Sequence, residues 1–176
     1  MTRLFSMSDQ DPGSAVPVPG RTLLTARSDY PAAADMLLGR ATRELRIFDP
    51  DLGEYRLETP ARIELVRGFL LNSPNNRLYI AVHDPEHVKR YCPRVMNLLA
   101  TFSVSMFIHR TEGDAARVQD CFVLADNSSF VRRPVAAQPR GVFVVDDFHE
   151  ASGMRKRFDE IWESSIPGVS ATTSGL

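Results

Sequence analysis

Residues 117–134, RVQDCFVLADNSSFVRRP, are the part of the chain that decides the fold. Within them, Phe122–Ala125 and Phe130–Arg132 are short runs rich in apolar residues, a pattern typical of buried β-strands. The residues between the two runs, Asp126–Ser129, are polar types that favour tight turns. The stretch therefore predicts a β-hairpin with polar groups gathered at its turn and at the ends of its strands.

Strands and helices alternate in the sequence before this hairpin. Apolar runs predict strands at Leu45–Phe48, Arg77–Val82 and Phe102–His109. Helices are expected to begin at Ser28–Asp29, Thr59–Pro60 and Asp84–Pro85, where a capping residue is followed by a proline in the first turn. Pro93 should kink or split the third helix, because proline has no amide hydrogen to donate. Alternation of this kind predicts parallel strands joined by right-handed crossovers.

The sequence after the hairpin predicts one more strand and a closing helix. The strand is Gly141–Val145, and the helix carries apolar residues with helical spacing between Met154 and Trp162. Strands that follow one another as closely as those of the second half favour hairpins. The expected fold class is therefore α/β, with a mixed β-sheet that has helices on both faces.

The length of 176 residues suits one folded domain. Pro, Gly and Ser are frequent near both ends, so residues 1–20 are expected to be a disordered leader and residues 167–176 a flexible C-terminal tail. The α/β domain then spans residues 21–166. No apolar run resembles a signal-peptide core or reaches the length of a membrane span, which predicts a cytoplasmic protein without membrane contact.

The charge and the cysteines exclude several classes of function. With 21 basic and 22 acidic side chains the net charge is −1, which disfavours a nucleic-acid partner. The two cysteines, Cys92 and Cys121, have no paired spacing, so neither a disulfide framework nor a four-cysteine zinc site is expected. No cofactor is predicted. No metal site is predicted either, because helical or cysteine-paired ligand spacing is absent.

This order of elements resembles one half of the phospholipase D superfamily. In that family a motif-bearing hairpin follows a β-α-β-α-β unit, and a closing helix carries an aromatic pair, here Phe158 and Trp162. The segments Ser73–Arg77, His83–Pro85, Gln119–Asp126 and Val131–Pro134 also resemble a set of short bacterial proteins of unknown function. The resemblance covers roughly residues 29–165 and implies a phospholipase D-like half domain.

The family motif, HxKxxxxD followed by Gly-Ser-x-Asn, is degenerate in this chain. When its aspartate is placed on Asp126, the histidine position falls on Gln119 and the lysine position on Cys121. The glycine and serine positions fall on Arg133 and Pro134, and the asparagine position on Ala136. The resemblance implies a nucleophilic histidine and an anion-stabilising lysine, and glutamine and cysteine supply neither function. No catalytic residue is therefore assigned, and a complete paired site would require a homodimer.

Topology suggests a second set of candidate residues. Ligands of open α/β sheets bind beyond the carboxyl ends of the parallel strands, where Asp49, His83 and Asp84 are expected. These residues, with Asp126 and the pair Arg132 and Arg133, are candidates for one ligand-binding cleft, and arginine suits phosphate and carboxylate ligands. The alternative is structural, with Asp49 in an Asp-Pro turn, Asp84 as a helix cap and His83 as a strand-end residue with its hydrogen bonds made inside the protein. The arginines would then be solvated or paired with neighbours such as Asp126 or Asp146.

Three functions remain open from the sequence. The first is a non-catalytic phospholipase D-like module that binds an anionic ligand or a protein partner. The second is a diverged phosphodiesterase or hydrolase with a rearranged site that uses His83, Asp84 or Cys121, although Cys121 is better explained as a small apolar residue of a buried strand. The third is a structural homodimerisation domain.

Overall fold

The computed structural model describes residues 19–171. Most of the expected leader and the last five residues of the expected tail lie outside this range. The strands are β1 (Gly20–Leu24), β2 (Glu44–Asp49), β3 (Arg77–Val82), β4 (Met106–Thr111), β5 (Cys121–Ala125), β6 (Ser129–Arg133), β7 (Gly141–Val145) and β8 (Ser165–Val169). The helices are α1 (Asp29–Arg40), α2 (Pro60–Asn72), α3 (Pro85–Tyr91), α4 (Pro93–Thr101) and α5 (Phe148–Glu163), with a short 3₁₀ turn at Ala115–Arg117.

One sheet of eight strands organises the described residues, in the order β1-β7-β6-β5-β2-β3-β4-β8. Strands β2, β3 and β4 are parallel to one another, and the remaining pairs are antiparallel. The predicted hairpin is present, with Cys121 opposite Arg133 and Ala125 opposite Ser129. The prediction of a mixed α/β sheet is therefore confirmed.

Helices cover both faces of the sheet, and each face has its own apolar core. Residues of α1, α2, α3 and α4 pack with the larger core, which includes Ile47, Ile80 and Val123 of the central strands. Helix α5 packs on the opposite face against Phe48 and Phe122. Phe48 and Phe122 lie one position along their strands from Ile47 and Val123, because successive side chains of a strand point to opposite faces.

The edge strands β1 and β8 reach beyond the domain boundaries expected from the sequence. Gly20 already pairs with Val145, and β8 pairs with β4 as far as Val169, so the sheet extends beyond residues 21–166 at both ends. Most side chains of these two strands are exposed or half-buried, and β8 contains Pro167 and Gly168. Their sequences therefore lack the apolar alternation of a strand, and backbone pairing with a neighbouring strand holds them in place.

Two further details concern the helices. Pro93 splits the third predicted helix as expected, since α3 ends at Tyr91 and α4 begins at Pro93. The strand predicted to begin at Phe102 begins at Met106, because α4 runs to Thr101 and a turn follows it. The amide of Phe102 still donates to the carbonyl of Leu98, which extends the helical hydrogen bonds into the predicted strand.

Candidate functional site

The three expected motif positions do not meet in one place. Gln119 and Cys121 lie at the start of β5, and Asp126 follows its last residue. A strand of five residues separates its two ends by roughly 17 Å. Asp126 is therefore at the opposite end of the sheet from Gln119 and Cys121, and it does not line the same cleft as these two residues.

Asp126 has a structural role. Its carboxylate accepts hydrogen bonds from the backbone amides of Thr42, Arg43 and Glu44 at 2.8–3.0 Å, and from the Thr42 hydroxyl at 3.1 Å. It also adopts a positive φ of 53°, a conformation that aspartate, asparagine and glycine tolerate better than other residues. The residue thus fixes the connection between α1 and β2 to the turn of the hairpin.

A cleft of about 840 Å³ opens at the other end of the sheet, and we call it the motif-end cleft. It lies where the carboxyl ends of β2 and β3 meet the start of β5 and the end of β6. Its size is in the range of small-molecule sites. The lining residues are Tyr30, Pro31, Asp49, Pro50, Asp51, Gly53, Glu54, Tyr55, His83, Ala116, Arg117, Val118, Gln119, Cys121, Arg133, Val135, Ala136 and Ala137.

Asp49 is a buried carboxyl group at the end of β2. Its Oδ1 accepts hydrogen bonds from the amides of Leu52 at 2.6 Å and Asp51 at 3.1 Å, so it also shapes the loop that follows. Burial raises the pKa of Asp49 to about 6, although the two amide hydrogen bonds act in the opposite direction. Asp49 therefore lines the cleft and also shapes the turn that follows β2.

His83 reaches the cleft with both ring nitrogens already bonded to the protein. Its Nε2 lies 2.8 Å from the carbonyl of Val118, and its Nδ1 lies 2.6 Å from the hydroxyl of Thr111. A carbonyl can only accept, so Nε2 donates to Val118, and Nδ1 shares its hydrogen bond with the Thr111 hydroxyl. The ring also packs edge-on against Phe48. This arrangement leaves no ring nitrogen free to attack a substrate or to take its proton.

Cys121 is buried, and its environment keeps the thiol protonated. Burial and the negative charge of Asp49 raise the pKa of Cys121 to about 12, and a hydrogen bond from the Tyr30 hydroxyl offsets only part of this rise. Because the thiolate is the nucleophilic form, this cysteine lacks the environment of a reactive thiol. The arrangement supports the interpretation of Cys121 as a small apolar residue.

Arg133 is the cationic side chain at the base of the cleft. It is 3 % exposed, and its guanidinium lies 4.8 Å from the centre of the Tyr30 ring. One terminal nitrogen donates to Glu54 Oε1 at 2.9 Å, and the other donates to the carbonyl of Arg27 at 2.8 Å. Its Nε is buried without a hydrogen-bond partner. The side chain of Glu54, which pairs with Arg133, is 51 % exposed.

Arg132 and Asp84, both predicted for the cleft, lie elsewhere. Arg132 is adjacent to Arg133 in β6 and therefore points to the opposite face, where its Nε donates to the buried Asp120 at 2.9 Å. The carboxylate of Asp84 accepts from the amides of Glu86 and His87 and caps α3. Arg132 thus forms an ion pair and Asp84 caps a helix, and both roles are structural.

Several cleft residues could not be identified from the sequence. Glu54 and Tyr55 lie on the loop between β2 and α2, and Tyr30 is in the first turn of α1. No periodic pattern points to loop residues, whose position depends on the packing of the loop.

Within residues 19–171, no three His, Cys, Asp or Glu side chains are grouped closely enough to hold a metal ion. No helix of that range has the length and apolar character needed to cross a bilayer.

The architecture is that of the phospholipase D-like fold. Nuc from Salmonella typhimurium, a phospholipase D family member, is similar with a TM-score of 0.62 and 9% identity over 85% of this chain and 97% of Nuc. NucT from Helicobacter pylori is similar with a TM-score of 0.59 and 10% identity over 84% of this chain and 98% of NucT. At these identities the likeness establishes the fold alone.

A third similar structure is a larger protein. TrmBL2, an archaeal chromatin protein described with a novel mode of DNA binding, has a TM-score of 0.65 and 14% identity over 89% of this chain. The match covers 56% of TrmBL2, so this chain spans little more than half of its length. No curated protein matches the sequence. The chain belongs to the family described as Domain of unknown function (DUF7931), whose model matches residues 26–171.

Proposed function

We propose that this domain is a non-catalytic phospholipase D-like module that binds a small anionic ligand in the motif-end cleft. The observation that carries the proposal is the pairing of Arg133 with Glu54 inside an open cleft. A buried arginine there already holds a carboxylate at 2.9 Å, which indicates the kind of group that the position accepts. Glu54 is half exposed, and its second ion-pair partner, Arg27 at 3.2 Å, is exposed, whereas Arg133 is held by the Arg27 carbonyl and the Tyr30 ring. We therefore expect a ligand to replace Glu54 without moving Arg133.

The other carboxylates of the cleft are engaged with neighbouring groups. Asp49 accepts from the amides of Asp51 and Leu52, and Asp51 Oδ1 accepts from the amide of Gly53 at 2.8 Å. The remaining lining is mainly apolar, with proline, valine and alanine side chains in addition to Tyr30 and Tyr55. We therefore expect a ligand with an apolar body and one carboxylate or phosphate group that replaces Glu54 on Arg133.

The chemistry of the cleft supports binding without turnover. Both nitrogens of His83 are bonded within the protein, and the raised pKa of Cys121, about 12, leaves almost no thiolate near neutrality. A diverged hydrolase would need a nucleophile or base with free atoms in the cleft, and these two residues supply none. The alternatives of a protein partner or a structural homodimer remain predictions from the sequence, and no contact in the described residues favours either.

Replacement of Glu54 tests the proposal. Benzoate is a suitable probe, because it combines an apolar ring with one carboxylate. Glu54→Gln removes the competing charge from Arg133, and we expect benzoate to bind about fivefold more tightly, in line with the loss of a partly exposed ion pair. The measurement is isothermal titration calorimetry on the wild type and the variant.

Glu86→Gln is the matched control. Glu86 forms an ion pair with Lys89 on α3, and it does not line the cleft, so the same change of charge should leave benzoate affinity unchanged. Equal effects of Glu54→Gln and Glu86→Gln, or no saturable binding of benzoate, would count against the proposal. Hydrolysis of bis(p-nitrophenyl) phosphate above the buffer rate would show that the module is an enzyme.

A further inference from the structure

A second cleft lies at the opposite end of the sheet, beside the hairpin turn, and we call it the basal cleft. It has a volume of about 510 Å³ and is separate from the motif-end cleft. Its lining is almost entirely polar and contains no aromatic side chain among the described residues. The lining residues are Thr42, Arg43, Glu44, Ser73, Asn75, Asn76, Arg77, Asp126, Asn127 and Arg155.

Three arginines of the basal cleft lack a carboxylate partner. Most cationic side chains of residues 19–171 form an ion pair, but Arg43, Arg77 and Arg155 form none. Unpaired arginines are individually common on protein surfaces. Here, three of them surround one cleft, so positive charge is concentrated locally. The chain as a whole has a net charge of −1 and therefore no excess of positive charge.

The two carboxylates of the basal cleft are already compensated. Glu44 forms an ion pair with Arg46 at 2.8 Å. Asp126 accepts from the backbone amides of Thr42, Arg43 and Glu44 and from the Thr42 hydroxyl. Neither carboxylate forms an ion pair with the three arginines, so the positive charge of the cleft remains available to a bound anion.

Two of the arginines are held in position by neighbouring oxygen atoms. One terminal nitrogen of Arg77 donates to the carbonyls of Pro74 and Asn76 at 2.8 and 2.9 Å, which leaves its other nitrogens free. One terminal nitrogen of Arg155, from α5, donates to Asn127 Oδ1 at 2.9 Å. Arginines that are already oriented lose less conformational entropy when they bind an anion.

The backbone around these arginines is also fixed. The amide of Arg77 donates to the carbonyl of Arg43 at 3.0 Å, which joins the starts of β2 and β3. The buried side-chain amide of Asn76 donates to the carbonyl of Phe69 at 2.7 Å, and the amide of Asn76 donates to the carbonyl of Ser73. The turn of residues 73–77 therefore positions Arg77 at the rim of the cleft.

We propose that the basal cleft binds a phosphate monoester with a polar body, of about sugar-phosphate size. Arginine guanidinium groups match the geometry of phosphate oxygens, and three of them suit a dianion better than a carboxylate. The Ser73 hydroxyl and the Asn75 side-chain amide of the lining are placed to donate hydrogen bonds to the hydroxyl groups of such a ligand. The lack of aromatic side chains in this lining offers no stacking surface for a nucleobase.

Calorimetric titration with glucose 6-phosphate tests this site. We expect saturable binding with one molecule per chain, weaker binding of inorganic phosphate and no binding of glucose. Arg155→Gln and Arg43→Gln should each weaken the binding of glucose 6-phosphate about tenfold, because each removes a charge-assisted contact. Both side chains are exposed, so the fold should survive the substitutions, which circular dichroism can verify.

Arg90→Gln is the control with the same change of charge. Arg90 is exposed on α3, forms no ion pair among the described residues and does not line the basal cleft. Its replacement should leave the affinity unchanged. The proposal is overturned if neither glucose 6-phosphate nor phosphate binds at millimolar concentration, or if Arg90→Gln weakens binding as much as Arg155→Gln. Arginine-dependent binding of a single-stranded oligonucleotide without binding of glucose 6-phosphate would also overturn it.

Discussion

Asp126 connects two parts of the fold that are far apart in the sequence. Four donors from residues 42–44 surround its carboxylate, and its φ of 53° suits few side chains. It is the position at which the aspartate of the family motif was expected. Its contacts indicate that an aspartate is needed here to build the hairpin turn and the α1–β2 connection, whether or not the other end of the strand has a reactive group.

Replacement of Asp126 should therefore affect stability. Asp126→Ala removes the acceptor for three backbone amides and places a less tolerant residue at positive φ, and we expect a loss of about 3 kcal/mol in the free energy of unfolding. Asp126→Asn keeps one acceptor oxygen and tolerates the backbone conformation, so it should cost about half as much. Urea denaturation measures both values. Equal stabilities of the wild type and Asp126→Ala would refute the structural role.

Asp49 should make stability depend on pH. Its pKa is raised from 3.8 to about 6 by burial, so the folded protein holds this proton over a range in which the unfolded chain has lost it. The stability contributed by the neutral form is present below pH 4 and is lost as the pH rises towards 6. The shift corresponds to about 3 kcal/mol.

Asp49→Asn isolates this effect, because asparagine cannot ionise but still offers an acceptor to the amide of Leu52. The free energy of unfolding of the variant, relative to the wild type, should rise by about 3 kcal/mol between pH 3 and pH 7. Any constant cost of the amide group cancels in this comparison. A difference between the two proteins that stays the same across this range would show that Asp49 is not buried as a neutral acid.

Helix α5 is attached to the sheet by a buried carboxylate as well as by its apolar face. Asp120 is 1 % exposed and accepts two hydrogen bonds from Arg157 of α5 and one from Arg132 of β6, at 2.8–2.9 Å. Removal of one partner from a buried charged cluster is costly. Asp120→Asn should therefore lower the free energy of unfolding on the order of 3 kcal/mol, as measured by urea denaturation.

Asp114→Asn serves as the comparison for Asp120→Asn. Asp114 is fully exposed and contacts Arg117 at 3.8 Å, so its replacement should change stability little. If the two substitutions had the same small effect, the cluster around Asp120 would not contribute to the attachment of α5.

The elements with strong apolar patterns were predictable, and those at the edges of the sheet were not. The central strands β2, β3 and β5 are almost entirely buried, so each has the apolar run that a sequence analysis detects. Strands β1 and β8 have mostly exposed side chains, and their position depends on pairing with β7 and β4. The sequences of β1 and β8 alone do not show this pairing, because each partner strand lies far away along the chain.

The location of the candidate site was predictable in part. The carboxyl ends of β2 and β3 bring Asp49 and His83 to one cleft, as parallel topology requires. The choice between Arg132 and Arg133 depended on the register of β6, which a sequence without a partner strand does not define. Glu54 and Tyr30 reach the cleft from a loop and a helix start, and only tertiary packing brings them there.

At the scale of the whole fold, two separate clefts lie at the two ends of one sheet. The motif-end cleft has one buried arginine with a carboxylate partner, and the basal cleft has three arginines without one. The first suits an apolar ligand with one anionic group, and the second suits a polar phosphate ester. The two proposals are independent, because Glu54 lines only the first cleft and Arg155 lines only the second.

The central claim, binding at the motif end without turnover, can be tested in one NMR titration with bis(p-nitrophenyl) phosphate. The account predicts saturable shifts of the Arg133 Nε–H signal and of the Glu54 and Gln119 amides, with the phosphodiester unchanged in the same tube. If those signals do not move while the probe is added, or if p-nitrophenolate accumulates faster than in buffer, the account is contradicted.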